Sequence, residues 1–257
     1  MSVYKRFLRS SLVWRLSGLT YATAVNATSG KYRTLPEYLG FCDGQMRILA
    51  GSTPSFSTAL EFGSGLGGNL FALRSVVTSG VGVDVNSLYV RQARRIATRI
   101  DCENVRFTTY NGITLPTFPQ PFDLVFSVGV FERLAKNRVV SYVHQLVRLV
   151  SREGSVVLYF LTERARSTTF VERLGEEAYQ YWSREEVSRL LADCRLNVLS
   201  ILPWGPRQLT QGDGSVPVAD LYVCEVGPAR GESTGSASLS TRASVNTSVG
   251  HTSLGKA

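Results

Sequence analysis

Residues Glu61-Phe-Gly-Ser-Gly-Leu-Gly-Gly-Asn69 put an acid two positions ahead of a glycine run, and Asp84 closes a second apolar run, Val81-Gly-Val-Asp84. Glycines at 63, 65 and 67 let the backbone take positive φ and leave no Cβ between the turn and a ligand. A helix starting behind such a turn presents unpaired N–H groups to an anion. A carboxylate at Asp84 can accept hydrogen bonds from two ribose hydroxyls. These types and spacings describe a cradle for a nucleotide-like cofactor.

The cradle can be parsed in two ways. Gly63-x-Gly65-x-x-Gly68 fits the dinucleotide fingerprint, with Asp84 near the offset of its ribose acid. Glu61-x-Gly63-x-Gly65-x-Gly67 uses the preceding acid as well, and the dinucleotide parse leaves that acid unexplained.

Positioning such a cradle takes a strand before the turn and a helix after it. Apolar and β-branched runs predict strands at 58–62, 80–84, 104–108, 122–127, 154–161, 195–203 and 217–226. Helical periodicity predicts helices near 68–77, 87–99, 138–150 and 183–193. In the third, Val139, Val143, Leu146, Val147 and Val150 form one stripe with His144 beside it, and Ser183-Arg-Glu-Glu186 is a capping box opening the fourth. Alternating strands and helices imply a mostly parallel sheet with helices on both faces. The turn-rich Gly212-Asp-Gly-Ser-Val-Pro217 is short enough to join the last two strands as an antiparallel hairpin.

Composition sets the limits. At 28.2 kDa and 44% hydrophobic, the chain can bury one good-sized core. We expect three segments: 1–57 as a helical extension, 58–226 as the catalytic domain, and 227–257 as a disordered tail. Sixteen of the 32 residues from Val226 on are Ser, Thr or Gly, too little apolar area to offset ordering entropy. The net charge of +8 is concentrated outside the core: +5 in residues 1–60, +1 in 61–225 and +2 beyond. That distribution argues against a nucleic-acid partner. Val3, Phe7, Leu8, Leu12 and Leu16 can form one apolar face, read as a helix packed on the domain, with membrane-surface contact through the basic N-terminus as the sharper alternative. Cysteines 42, 102, 194 and 224 are scattered and only two histidines exist, so no metal site is expected, and the thiols read as buried small hydrophobes in a reducing cytoplasm.

From Thr58 to about Val226 the residues resemble the class I S-adenosylmethionine (SAM)-dependent methyltransferase family. The matching pieces stand in the family's order: Leu60-Glu-Phe-Gly-Ser-Gly-Leu-Gly67, Gly82-Val-Asp84-Val-Asn-Ser87, Asn111-Gly-Ile-Thr-Leu-Pro116, Phe122-Asp-Leu-Val-Phe-Ser127 with Val130-Phe-Glu132, and Tyr181-Trp-Ser-Arg-Glu-Glu186. The resemblance implies a Rossmann-like fold, a seven-stranded mostly parallel sheet with an antiparallel last strand, and SAM as cofactor. It implies that Gly63, Gly65 and Gly67 pass under the methionine part, with Glu61 near its amino group. Asp84 would bind the ribose hydroxyls and Val85 would lie against the adenine. Asn111, followed by Gly112, falls where the family often has an aspartate facing the adenine amine, and Ser127 would line the far side of the cofactor.

The acceptor should enter from the carboxyl ends of the fourth and fifth strands. Phe131, Glu132, Thr162, Glu163 and Arg164 stand there, with Phe131 and Arg164 as substrate-binding candidates. Residues 165–181 could cover the site. No base stands out: the family frequently has histidine after the glutamate at 132, where this chain has Arg133, so Glu132 and Glu163 are the remaining candidates. The Asn/Asp-Pro-Pro-Tyr/Phe motif of amine methylation on nucleobases and amides is replaced by Ser127-Val-Gly-Val. The expected acceptor is therefore a small molecule, sugar or lipid-linked group. A SAM-fold binding protein without catalysis is one alternative. An NAD(P)-dependent oxidoreductase is another, but the Tyr-x-x-x-Lys of that class is missing.

Overall fold

A computed structural model describes residues 35–162, 180–204 and 219–227. They contain, in order, α1 (Leu35–Ser52), β1 (Thr58–Phe62), α2 (Gly68–Leu73), β2 (Ser79–Asp84), α3 (Ser87–Arg99), β3 (Val105–Thr109), β4 (Phe122–Ser127), a 3-10 turn (Phe131–Arg133), α4 (Lys136–Val147), β5 (Val150–Leu161), α5 (Arg184–Asp193), β6 (Leu196–Trp204) and β7 (Ala219–Val226). The amphipathic N-terminal face, Glu163, Arg164 and the tail lie outside the described residues.

The strands form one seven-stranded sheet in the order β3-β2-β1-β4-β5-β7-β6. Pairing is parallel from β3 across to β5, and β7 runs antiparallel to both β5 and β6. Central strands read as nearly continuous apolar runs because helices cover both faces. On one face, Val139, Tyr142, Val143 and Leu146 of α4 and Val187, Leu190 and Leu191 of α5 pack on Leu60, Val125, Val156 and Leu158. On the other, Met46 and Leu49 of α1, Leu70 and Phe71 of α2 and Val90, Ala93 and Ile96 of α3 pack on Ala59, Leu124, Phe126 and Val157.

Helix starts are specified locally. Ser183 Oγ accepts from the Glu186 amide at 3.1 Å, and Glu186 Oε2 accepts from the Ser183 amide at 2.8 Å, completing the capping box. Asn86, rather than Asp84, caps α3, its Oδ1 accepting from the amides of Leu88 and Tyr89. Two helix ends differ from the periodic pattern. The helix after the glycine turn ends at Leu73, where the amides of Val76 and Val77 both turn back to the Leu73 carbonyl. The helix expected to reach 150 ends at Val147, because Val150 pairs with Phe122 and so begins β5. All four cysteines are buried and free. No helix among the described residues is long and apolar enough to cross a membrane.

Strand order reverses between β1 and β4, which leaves a crevice beyond their carboxyl ends. The glycine turn opens into that crevice.

Candidate functional site

A cavity of about 410 Å3 occupies the crevice, and Glu61, Gly63, Gly65, Asp84, Val85 and Glu132 all line it. The turn between β1 and α2 is bent by glycines at positive φ. At Gly63, φ is +75° and a Cβ would fall 2.2 Å from Val130 Cγ2. At Gly65, φ is +52° and a Cβ would meet nothing within 4 Å, so this residue exposes bare backbone to open space. Asp84 holds the turn in place: Oδ2 accepts from the Gly65 amide and Oδ1 from the Asn86 amide, both at 2.8 Å. Each oxygen keeps lone-pair capacity for a further donor. Burial pushes the Asp84 carboxyl up, opposed by its backbone hydrogen bonds from Asn86 and Gly65.

Glu61 closes the floor of the cavity, 1% exposed. Its Oε1 accepts from Asn69 Nδ2 at 2.7 Å, while Oε2 is buried without a hydrogen-bond partner. Burial pushes the Glu61 carboxyl up to about 8, with the nearby Asp84 charge adding to the rise and the Asn69 bond opposing it. Glu132 has the same character on the β4 side. It is 6% exposed, its Oε1 lies 3.5 Å from Arg133 Nε, and its Oε2 has no partner. Burial raises its pKa too, and the Arg133 charge opposes the rise.

Two walls come from elements flanking the cradle. α1 contributes Tyr38, Phe41, Cys42 and Gln45. It sits directly on the start of α2, where the Gly68 amide donates to Tyr38 Oη at 3.2 Å and a Cβ at 68 would be 2.5 Å from Cys42 Sγ. At the opposite end Tyr110 and Tyr142 line the cavity and pack against Phe62, with ring centroids 5.9 and 4.7 Å away. Tyr110 Oη donates to Tyr142 Oη at 3.2 Å, and Tyr142 Oη donates to the Gly112 carbonyl at 2.5 Å.

The sequence of residues 59–154 matches a family profile described as "Methyltransferase domain". No curated protein matches significantly. Many solved structures are similar. Magnesium protoporphyrin IX methyltransferase from Synechocystis, with bound S-adenosylhomocysteine (SAH), gives a TM-score of 0.63 at 14% identity over 84% of this chain and 99% of that one. The YcgJ protein from Bacillus subtilis gives 0.57 at 17% identity over 74% and 100%. The CcbJ methyltransferase from Streptomyces caelestis gives 0.57 at 14% identity over 73% and 90%. At these identities the structural likeness establishes the fold, and the profile match establishes the family of the segment that builds the cradle. Residues 59–154 belong to a methyltransferase domain, carried on the fold of the SAM-dependent methyltransferases.

The cavity fits the cofactor of that family on three observations of its own. Glu61 offers an unpaired buried carboxyl oxygen. Gly65 leaves bare backbone open. Asp84 retains acceptor capacity at a carboxylate already oriented by two amides. The methyltransferase domain thus gathers Glu61, Gly63, Gly65, Asp84 and Val85 on one cavity, while Gly67 stands behind it, its φ of +86° packing the turn against Phe107.

Four residues expected at the site do not line this cavity. Asn111 is off the cavity wall because its Oδ1 accepts from the amides of Ile113 and Thr114, both at 2.8 Å, forming an Asx turn. Gly112 is likewise off the wall, its carbonyl held by Tyr142 and by Arg138 Nη2 at 2.7 Å. Ser127 is buried under the floor, Oγ donating to the Phe62 carbonyl at 3.1 Å, and the wall there is made by Val128 and Gly129. Phe131 belongs to the core, packed between Phe62 and Phe160, so it is Val130, Glu132 and Arg133 of that turn that meet the cavity. His144 is exposed on α4 and does not line the cavity. Trp182 packs on Phe160 at 5.4 Å with the Lys136 ammonium 4.9 Å from its ring, a core role. Sequence reasoning missed Tyr38, Cys42, Tyr110 and Tyr142. For Tyr110 the signal was available, since it follows directly on the strand expected at 104–108.

Proposed function

We propose that this protein transfers the methyl group of SAM to a small-molecule, sugar or lipid-linked acceptor. The observation that carries this reading is that one continuous cavity runs from the cofactor cradle at Glu61, Gly65 and Asp84 to the turn after β4, at Val130 and Glu132. Bound there, SAM would supply a methyl activated on a sulfonium, so the chain's task is chiefly alignment and exclusion of water. Asp84 and the Gly65 backbone fix the ribose end, Glu61 receives the cofactor's ammonium at its unpaired oxygen, and Tyr110 gives an aromatic wall at the β3 end. The α1 wall of Tyr38, Phe41 and Cys42 closes the cavity against water on the turn side.

The test is methyl transfer from labelled SAM to a library of alcohols, amines, sugars and lipid-linked compounds, with the SAH product quantified. Acceptor-dependent SAH formation is expected. SAH binding without turnover of any acceptor would favour a non-catalytic binding protein, and NAD binding in place of SAH would point to the oxidoreductase reading.

A further inference from the structure

Among the described residues, two buried carboxyl oxygens on this cavity lack hydrogen-bond partners, Glu61 Oε2 and Glu132 Oε2. Leaving a buried acceptor unsatisfied costs about 1–3 kcal/mol, so such groups survive where a ligand completes them. The cofactor's ammonium accounts for Glu61. Nothing in the cradle accounts for Glu132, which stands on the other side of the cavity, after β4.

Glu132 is held for a purpose its local packing does not use. Its backbone carbonyl accepts from the Gln180 amide at 2.5 Å, pinning the 3-10 turn from a distant part of the chain. Arg133 Nε lies 3.5 Å from Oε1. Gly129, at φ +72°, runs close beside the carboxyl, where a Cβ would come into van der Waals contact with Oε1 at 3.8 Å. The side chain is thus oriented by its own turn, with one oxygen occupied and one in reserve.

We propose that Glu132 is the acceptor-binding residue, its free carboxyl oxygen accepting a hydrogen bond from the O–H or N–H group that becomes methylated. The inference rests on the methyltransferase reading and narrows it: acceptors are alcohols, phenols or amines, and a carboxylate acceptor is excluded because it has no hydrogen to donate. Arg133 acts through Glu132 as a positioning residue, holding Oε1 so that Oε2 stays available.

The probe is a pair of cofactor analogues on the full chain. SAH carries no group at the position of the transferred methyl, whereas sinefungin carries an amine there. Calorimetry on the wild type is expected to give sinefungin about tenfold or more tighter binding than SAH, from a charge-assisted hydrogen bond to Glu132. Glu132→Gln should bring the two affinities within about twofold of each other while leaving SAH itself unchanged. Glu132→Asp, which keeps the charge but withdraws it by one methylene, should lose most of the preference and guards against a glutamine variant that folds poorly. An unchanged sinefungin-to-SAH ratio in both variants would overturn the role of Glu132. No SAH binding by the wild type would overturn the cofactor reading, and this inference with it. In the labelled-SAM screen, hydroxyl hits and amine hits distinguish the two donor classes, and turnover of a carboxylate acceptor would contradict the exclusion.

Discussion

Replacing Glu61 by glutamine should change how the cofactor site responds to pH. Glu61 is 1% exposed with one unpaired oxygen, and its carboxyl sits at about 8, so at pH 7 about nine in ten unliganded molecules carry a proton there. A cofactor ammonium favours the ionised form and pulls the pKa down, so binding at pH 7 should release about 0.9 proton. Affinity should then rise with pH, approaching tenfold per unit below pH 7 and levelling off above about 8. Stability of the unliganded protein moves the other way. Because the folded pKa lies above the unfolded one, Glu61 costs little below about 4.5, and its cost grows as pH rises through the window up to about 8. Between pH 5 and 7 that loss is of the order of 2–3 kcal/mol. The assay is SAH titration by calorimetry in buffers of different ionisation enthalpy, repeated with Glu61→Gln. The variant should release no proton and show a flat affinity between pH 6 and 8. A wild-type protein that releases no proton and binds equally across this range would refute the reasoning.

Three further outcomes follow from the same geometry. Asp84→Ala removes the acceptor for the Gly65 and Asn86 amides together with the proposed ribose partner, and should weaken SAH binding by at least about 30-fold, read by calorimetry. Gly63→Ala places a methyl 2.2 Å from Val130 Cγ2 at a φ of +75°, and should cost about 2–4 kcal/mol in chemical denaturation through clash and left-handed strain. Arg184→Ala strips the partner from Asp220, which is 0% exposed and bonded at 2.8 Å, whereas Lys136→Ala breaks a half-exposed pair with Glu186. The first should cost about 2–4 kcal/mol and the second about 1 or less, measured by the same denaturation.

Much of the architecture was legible because each central element is specified locally. The strand at 58–62, the helix at 87–99 and the capping box at Ser183 each carry their own signal, apolar run, periodicity or cap, and appear where that signal puts them. Helix ends were less legible, since Val150 reads as helix by periodicity but is claimed by pairing with Phe122. The cradle was readable from spacing, as Glu61, Gly63, Gly65 and Asp84 lie on consecutive strand ends. The rest of the cavity was not, because Tyr38 and Cys42 arrive from a helix 20 residues upstream and Tyr142 from a helix 30 residues downstream of Gly112. Asn111 was read as a ligand by position, whereas its Oδ1 accepts from two amides of its own turn. Residue type gives an Asn its capacity, but only geometry shows who uses it.

The most direct test of the central claim is one calorimetric titration of SAH and of NAD into the purified full chain, with Asp84→Ala alongside. One SAH site per chain is expected in the wild type, with no measurable NAD binding and loss of the SAH site in the variant. NAD binding without SAH binding, or undiminished SAH affinity in the variant, would contradict it.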